Sequence, residues 1–226
     1  MISTQITYAE LLELDRFAAR SLHRFNPWMS EEDSVQDVSL SHGIDPEFVR
    51  LIVESFHDME NFSVDRYKSF GLSEVLVYLR STHRYYLNKL LPEIEQNLIA
   101  LVKQLDNSQG KVLSIVTKIV SFHEDLISHI EEEEKELFPA IEKLSSDGDV
   151  KEQIAHFMDD HKHHGNHLKE IRDYIYSMTT NEIEVLPFRM FLNKLEMLDR
   201  DLEIHSKMED EVLMPLALES ISRAAS

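Results

Sequence analysis

Residues Asp125 to Pro139 read DLISHIEEEEKELFP, and 76 positions later Asp201 to Pro215 read DLEIHSKMEDEVLMP. Asp, Leu, His, Glu, Leu and Pro recur at identical offsets, where two unrelated windows of this length would share about one identity at ordinary residue frequencies. In each copy a histidine precedes a glutamate by four positions, His129/Glu133 and His205/Glu209, a step that places both side chains on one face of a helix. The feature restricts the chain to a helical architecture with internal duplication, and it carries the spacing of metal ligands.

The rest of the sequence agrees with a nearly all-α protein. Only 5 Gly and 6 Pro occur in 226 residues, against 42% hydrophobic and 29% charged positions, which favours long helices over a turn-rich β fold. The absence of Cys removes disulfides, thiolate zinc sites, cysteine-ligated iron–sulfur clusters and Cys nucleophiles, leaving only N and O ligands for any metal. A formal charge of −19 opposes binding to nucleic acid or anionic lipid and leaves small molecules, cations and basic protein surfaces as partners. No basic region followed by an apolar run opens the chain, and no apolar window is long enough to span a bilayer, so a cytoplasmic location is expected.

Three segments follow from composition and periodicity. Residues 1–62 are expected to form a small helical domain, with Tyr8, Leu11, Leu12, Leu14, Phe17, Ala18 and Leu22 on one continuous stripe, breaks at Asn26-Pro27 and at Gly43 to Pro46, and Asp45 as N-cap of the next helix. At roughly 60 residues such a domain is at the lower limit for folding alone. It is therefore expected to dock, or to pair two copies as a homodimer. Residues 63–72 read as a linker. Residues 73–226 read as four long amphipathic helices: about Ser73 to Leu105, Val112 to Leu144, Val150 to Met178 and Val185 to Ser220.

Short polar connections favour an antiparallel up-down-up-down four-helix bundle. Pro92, Pro139 and Pro215 fall within these helices and are expected to kink them. The spacing from His83 to His161 is 78 and from His129 to His205 is 76, so the first helix pair reads as repeated in the second.

H-x-x-x-E alone carries little information in a chain with 12 His and many Glu. The weight rests on the duplicated context, the apolar stripe, and a lone histidine at the matching level of each remaining helix. Four imidazoles and two carboxylates at one level of a bundle would be costly to desolvate unless a cation meets them. His83, His129, Glu133, His161, His205 and Glu209 are therefore the expected ligands of a dinuclear site, with the two glutamates bridging and each ion held by two histidines. A bridging oxo, hydroxo or water oxygen would complete the bridge and leave one open position per ion. Two iron ions suit the mixed imidazole and carboxylate set, with manganese as the alternative. His156, His163, His164 and His167 crowd around His161. His23, His42, His57 and His123 lack repeat partners, and Tyr86 is expected to be a core tyrosine whose hydroxyl finds a hydrogen-bond partner.

The segments THRYYLNKLLPEIE, SHIEEEEKELFPAIE, DDHKHHGNHLKEI and IHSKMEDEVLMPLAL together resemble bacterial di-iron proteins of iron–sulfur cluster repair, within the hemerythrin-like group. The resemblance spans nearly the whole chain, and its four-His, two-Glu set matches the six positions above; hemerythrin oxygen carriers are similar in fold but typically use five histidines. Ser34 to Phe56 looks like the second half of the family's N-terminal domain, yet RFNPWMSEED (Arg24 to Asp33) stands where the family usually carries adjacent cysteines. Any role of those thiols is not inherited.

The resemblance implies a protein of the nitrosative and oxidative stress response. It would donate iron to damaged iron–sulfur proteins, or react with nitric oxide, oxygen or peroxide at its metal centre. The alternatives are a hemerythrin-like sensor or carrier of O2 or NO with no repair activity, and a metal-free interaction bundle.

Overall fold

The computed structural model describes residues 2–104, 109–143, 171, 173 and 186–224, and among them all regular structure is helical, apart from an isolated bridge between Thr7 and Ser34. The elements are α1 (Tyr8–Leu14), α2 (Arg16–Ser21), α3 (Val35–Ser41), α4 (Pro46–His57), α5 (Val64–Lys68), α6 (Leu72–Tyr85), α7 (Leu91–Gln104), α8 (Gln109–Glu132), α9 (Phe138–Lys143), α10 (Leu186–Lys207) and α11 (Met214–Ala224). Of the expected third long helix, 150–178, only Ile171 and Asp173 are among the described residues, and both are helical.

Two compact units emerge, one of residues 2–85 with 204–224 and the other of 86–143 with 171, 173 and 186–203. In the first, helix starts follow local side-chain chemistry. Thr7 and Glu10 form a reciprocal capping box at α1, and Asp45 accepts from the Glu47 N–H at 2.8 Å, with Pro46 opening α4 as expected. The N-terminal stripe, expected to be continuous to Leu22, is interrupted at Asp15. This residue leaves the helical region (φ −160°, ψ 116°), and its carboxylate accepts from the N–H groups of Phe17 and Ala18, ending α1 and capping α2. Here the preference of Asp for an N-cap prevails over hydrophobic periodicity. Gly43, at φ 66°, ends α3.

The core of this unit is aromatic. Phe48 meets the edges or faces of Tyr67, Phe70 and Tyr78 at centroid distances of 5.7, 5.3 and 6.3 Å. Tyr67 lies within the stretch read as a linker, where α5 forms and the Tyr67 hydroxyl reaches that of Ser55 at 2.8 Å. A buried arginine ties the N-terminal helices to α6. Arg24 donates from Nε to the Ser21 carbonyl at 2.7 Å and from Nη1 to Tyr78 Oη and Thr82 Oγ1, both at 2.9 Å. Its guanidinium also lies 4.6 Å from the centre of the Phe56 ring.

The second unit packs α7 against α8 around Ile94, Leu98, Leu101, Ile115, Ile119 and Phe122, with Phe188, Phe191, Leu195 and Leu198 of α10 also buried. Tyr86 is fully buried and donates to Asp201 Oδ1 at 2.7 Å, so its hydroxyl has the core partner expected of it. His123 is buried against Glu95, its Nδ1 3.2 Å from Oε1, while its Nε2 has no hydrogen-bond partner.

The three prolines adopt a solution other than a simple kink. Each is preceded by a π-helical turn: Tyr86–Leu90 before Pro92, Glu133–Leu137 before Pro139, and Met208–Leu213 before Pro215. The N–H of Phe138 bonds to the Glu133 carbonyl and that of Met214 to the Glu209 carbonyl, each five residues back. A proline cannot donate to the carbonyl four residues earlier and crowds it. Widening the preceding turn by one residue re-pairs the backbone while the helix continues.

Two outcomes follow. Arg24→Ala removes three charge-assisted hydrogen bonds and a packed guanidinium and should lower unfolding free energy by about 3 kcal/mol in urea titration, with little change in helix content. Burial pushes the pKa of His123 down, more than Glu95 pushes it up. The unfolded chain therefore takes up a proton first, and stability falls as pH drops below about 6.5. His123→Leu should flatten that part of the stability profile, read as Tm against pH.

Candidate metal centre

His83 sits in the last turn of α6, His205 in the last turn of α10, and Glu209 at the second residue of the π turn that continues it. Apolar neighbours one helical turn away direct each inward: Leu79 and Tyr86 flank His83, while Val212 and Leu213 follow Glu209, and all are buried. His83, His205 and Glu209 are 1%, 4% and 0% exposed, so water does not solvate them.

In the first unit these three converge. The Nε2 atoms of His83 and His205 are 3.3 Å apart, with the rings tilted by 57°, and His205 Nε2 is 3.0 Å from Glu209 Oε1. One ligand atom from each of the three lies within 4.8 Å of the others. Two imidazole nitrogens at this distance share at most one proton, and a buried carboxylate demands a positive neighbour. Ligand atoms about 2.1 Å from one ion stand about 3.0 Å apart at a right angle and about 3.4 Å apart at a tetrahedral angle. The observed separations therefore fit the nitrogens and the carboxylate oxygen around a single cation. The donor set, two imidazoles and one carboxylate, suits iron, manganese or zinc better than a hard cation such as calcium.

Supports for this set come from the N-terminal elements of the same unit. The turn Leu22–Arg24 packs on α6, and Arg24 bonds to Thr82, the residue before His83. Helix α5 packs on the π turn that bears Glu209. A side chain held on two sides by packed elements keeps its rotamer, which is what a metal ligand requires.

In the second unit the other half of the repeat forms an equivalent pair. His129 Nε2 lies 3.2 Å from Glu133 Oε1, with the Glu133 side chain fully buried and that of His129 12% exposed. Glu133 opens its π turn, as Glu209 lies near the start of its own. The expected ligand His161 lies outside the described residues, as do His156, His163, His164 and His167.

The histidines without repeat partners have local structural partners. His23 meets the Tyr8 hydroxyl at 2.7 Å, His42 the Val38 carbonyl at 3.0 Å, and His57 the Asp15 carboxylate at 3.1 Å. Sequence reasoning overlooked Arg24, because nothing local marks an arginine for burial when its hydroxyl partners lie more than 50 residues away and the Phe56 ring beside it lies 32 residues away. The Tyr86 partner Asp201 was visible only as the first residue of the second repeat copy.

Among the described residues no helix is long and apolar enough to cross a membrane. No curated protein matches the chain. The hemerythrin HHE cation-binding domain matches residues 77–217, well over half of the sequence and a span that holds every histidine and glutamate discussed as a ligand. The buried His/Glu set, the helical architecture and this match agree: the chain belongs to the hemerythrin HHE cation-binding family, a helical-bundle fold built around a metal-binding site.

Proposed function

We propose that His83, His129, Glu133, His161, His205 and Glu209 together bind two iron ions, and that the protein serves iron–sulfur cluster repair in the response to nitrosative and oxidative stress. The observation that carries the reading is the burial of His83, His205 and Glu209 with their ligand atoms at single-ion separations. The repeat supports extending it to a pair of ions, since His129 and Glu133 reproduce the His205 and Glu209 geometry at 3.2 and 3.0 Å. Bound iron would supply one-electron chemistry and an open position for nitric oxide, oxygen or peroxide.

The chain's own residues set how firmly such ions are held. Every ligand is nitrogen or oxygen, with no Cys in the sequence, and N/O-bound iron exchanges more readily than thiolate-bound iron because its ligands are harder and the imidazoles compete with protons. That exchangeability favours donation of iron to a damaged cluster protein. The helices hold the imidazoles in place, and the apolar residues one turn away exclude bulk water from the carboxylates.

The wild-type protein should purify with about two iron ions per chain, and His129→Ala with Glu133→Ala, or Glu209→Ala alone, should drop the content to about one or none. Elemental analysis reads this directly. A chelator should lower the wild-type Tm by several degrees and leave the Glu209→Ala variant nearly unchanged, because only the wild type has metal-linked stability to lose. Iron-loaded protein should restore activity to a cluster enzyme damaged by nitric oxide. Full iron content without restoration would reject the donor role and leave the metal centre standing, while a reversible adduct with O2 or NO and no iron loss would favour a sensor.

A further inference from the structure

Two polar contacts join α6, with the π turn that continues it, to α10. The first is between ligands, His83 Nε2 and His205 Nε2 at 3.3 Å. In the second the Tyr86 hydroxyl, three residues after His83, donates to Asp201 Oδ1, four residues before His205, at 2.7 Å. Steps of three and four residues keep a side chain within about 60° of the starting face and move it about 4.5 to 6 Å along the helix. A forward step on one helix is matched by a backward step on the other, so the two run antiparallel here and the contacts are successive rungs between the same faces.

The second rung is suited to holding a fixed distance. Tyr86 and Asp201 are both buried. A carboxylate removed from water needs a donor, and the phenol supplies one from the end of a rigid ring rather than a flexible chain. The apolar contacts of Leu195 and Leu198 on the same helix are non-directional and tolerate a small slide of one helix along another. A short hydrogen bond does not tolerate it. The carboxylate also belongs to the duplicated motif, since Asp125 precedes His129 by four residues as Asp201 precedes His205.

We propose that Tyr86 and Asp201 are positioning residues of the metal centre: their hydrogen bond fixes the register that brings His83 and His205 to one ion, and so governs how fast that ion is released. They act through the two imidazoles rather than as ligands. The inference rests on the reading of His83, His205 and Glu209 as ligands of a cation.

The test loads the full-length protein with Fe2+ in the absence of oxygen and follows the rate at which a coloured ferrous chelator strips it. Tyr86→Phe keeps the ring and loses the hydroxyl, and it should release iron about tenfold faster than wild type. Asp201→Ala should match it, and the double variant should be no faster than either single one, because all three lose the same bond. Asp201→Asn, whose amide oxygen accepts the same hydrogen bond, should stay near the wild-type rate. Leu101→Ala, a cavity in the buried core of α7, should lower Tm more than Tyr86→Phe does yet release iron at the wild-type rate, which separates positioning from general stability. Equal acceleration by Leu101→Ala or by Asp201→Asn would overturn the proposal. A wild type that takes up no ion would remove the ligand reading and the proposal together, whereas iron held equally long by wild type and Tyr86→Phe would remove the proposal alone.

Discussion

A carboxylate and two imidazoles buried together are unstable as a bare arrangement, and much of the protein can be understood as what is needed to hold them there. Glu209 has lost its water, and its neighbour His205 shares close nitrogen contact with His83. The penalty for removing such groups from solvent is several kcal/mol each. It is tolerable only if a cation completes the set, and only if the side chains converge before the cation arrives, because a floppy ligand set loses its binding energy to ordering. Convergence in turn requires supports, which the N-terminal helices provide in the same unit. Arg24 grips the turn next to His83, and α5 backs the turn of Glu209. The N-terminal region, expected from its size to dock or to pair two copies, contributes directly to the packing around these ligands.

The prolines show how local chemistry and the site are connected. In both copies of the repeat the sequence runs from the glutamate through four residues to a proline-preceding position, and in both the N–H of that position bonds to the glutamate's own carbonyl across a π turn. The proline makes an ordinary α turn unfavourable at that place, and the wider turn is the least disruptive alternative. Glutamates at the entrance of a widened turn leave the strict α register, which adjusts the angle of everything that follows without ending the helix. A π turn also precedes Pro92, three residues beyond His83. The duplicated element is therefore a histidine, a turn, and a proline-directed change in helix pitch, rather than a four-residue pair alone.

What the sequence by itself determined was the class of fold, the identity of the paired His and Glu positions, and the ends of several helices, because these depend on periodicity and on capping residues within four positions of one another. Asp45, Pro46 and Gly43 act where they were expected, and the buried faces around Ile115, Ile119, Leu195 and Leu198 follow their spacing. Asp15 interrupts the N-terminal stripe for a local reason, since a cap and a stripe compete at one residue and periodicity alone does not say which prevails. Only the tertiary structure decided that Arg24 is buried, that Tyr86 finds Asp201, and that the two imidazole nitrogens come to 3.3 Å. Each depends on groups separated by tens of residues or more, whose meeting is set by how helices pack and carries no periodic signature along the chain.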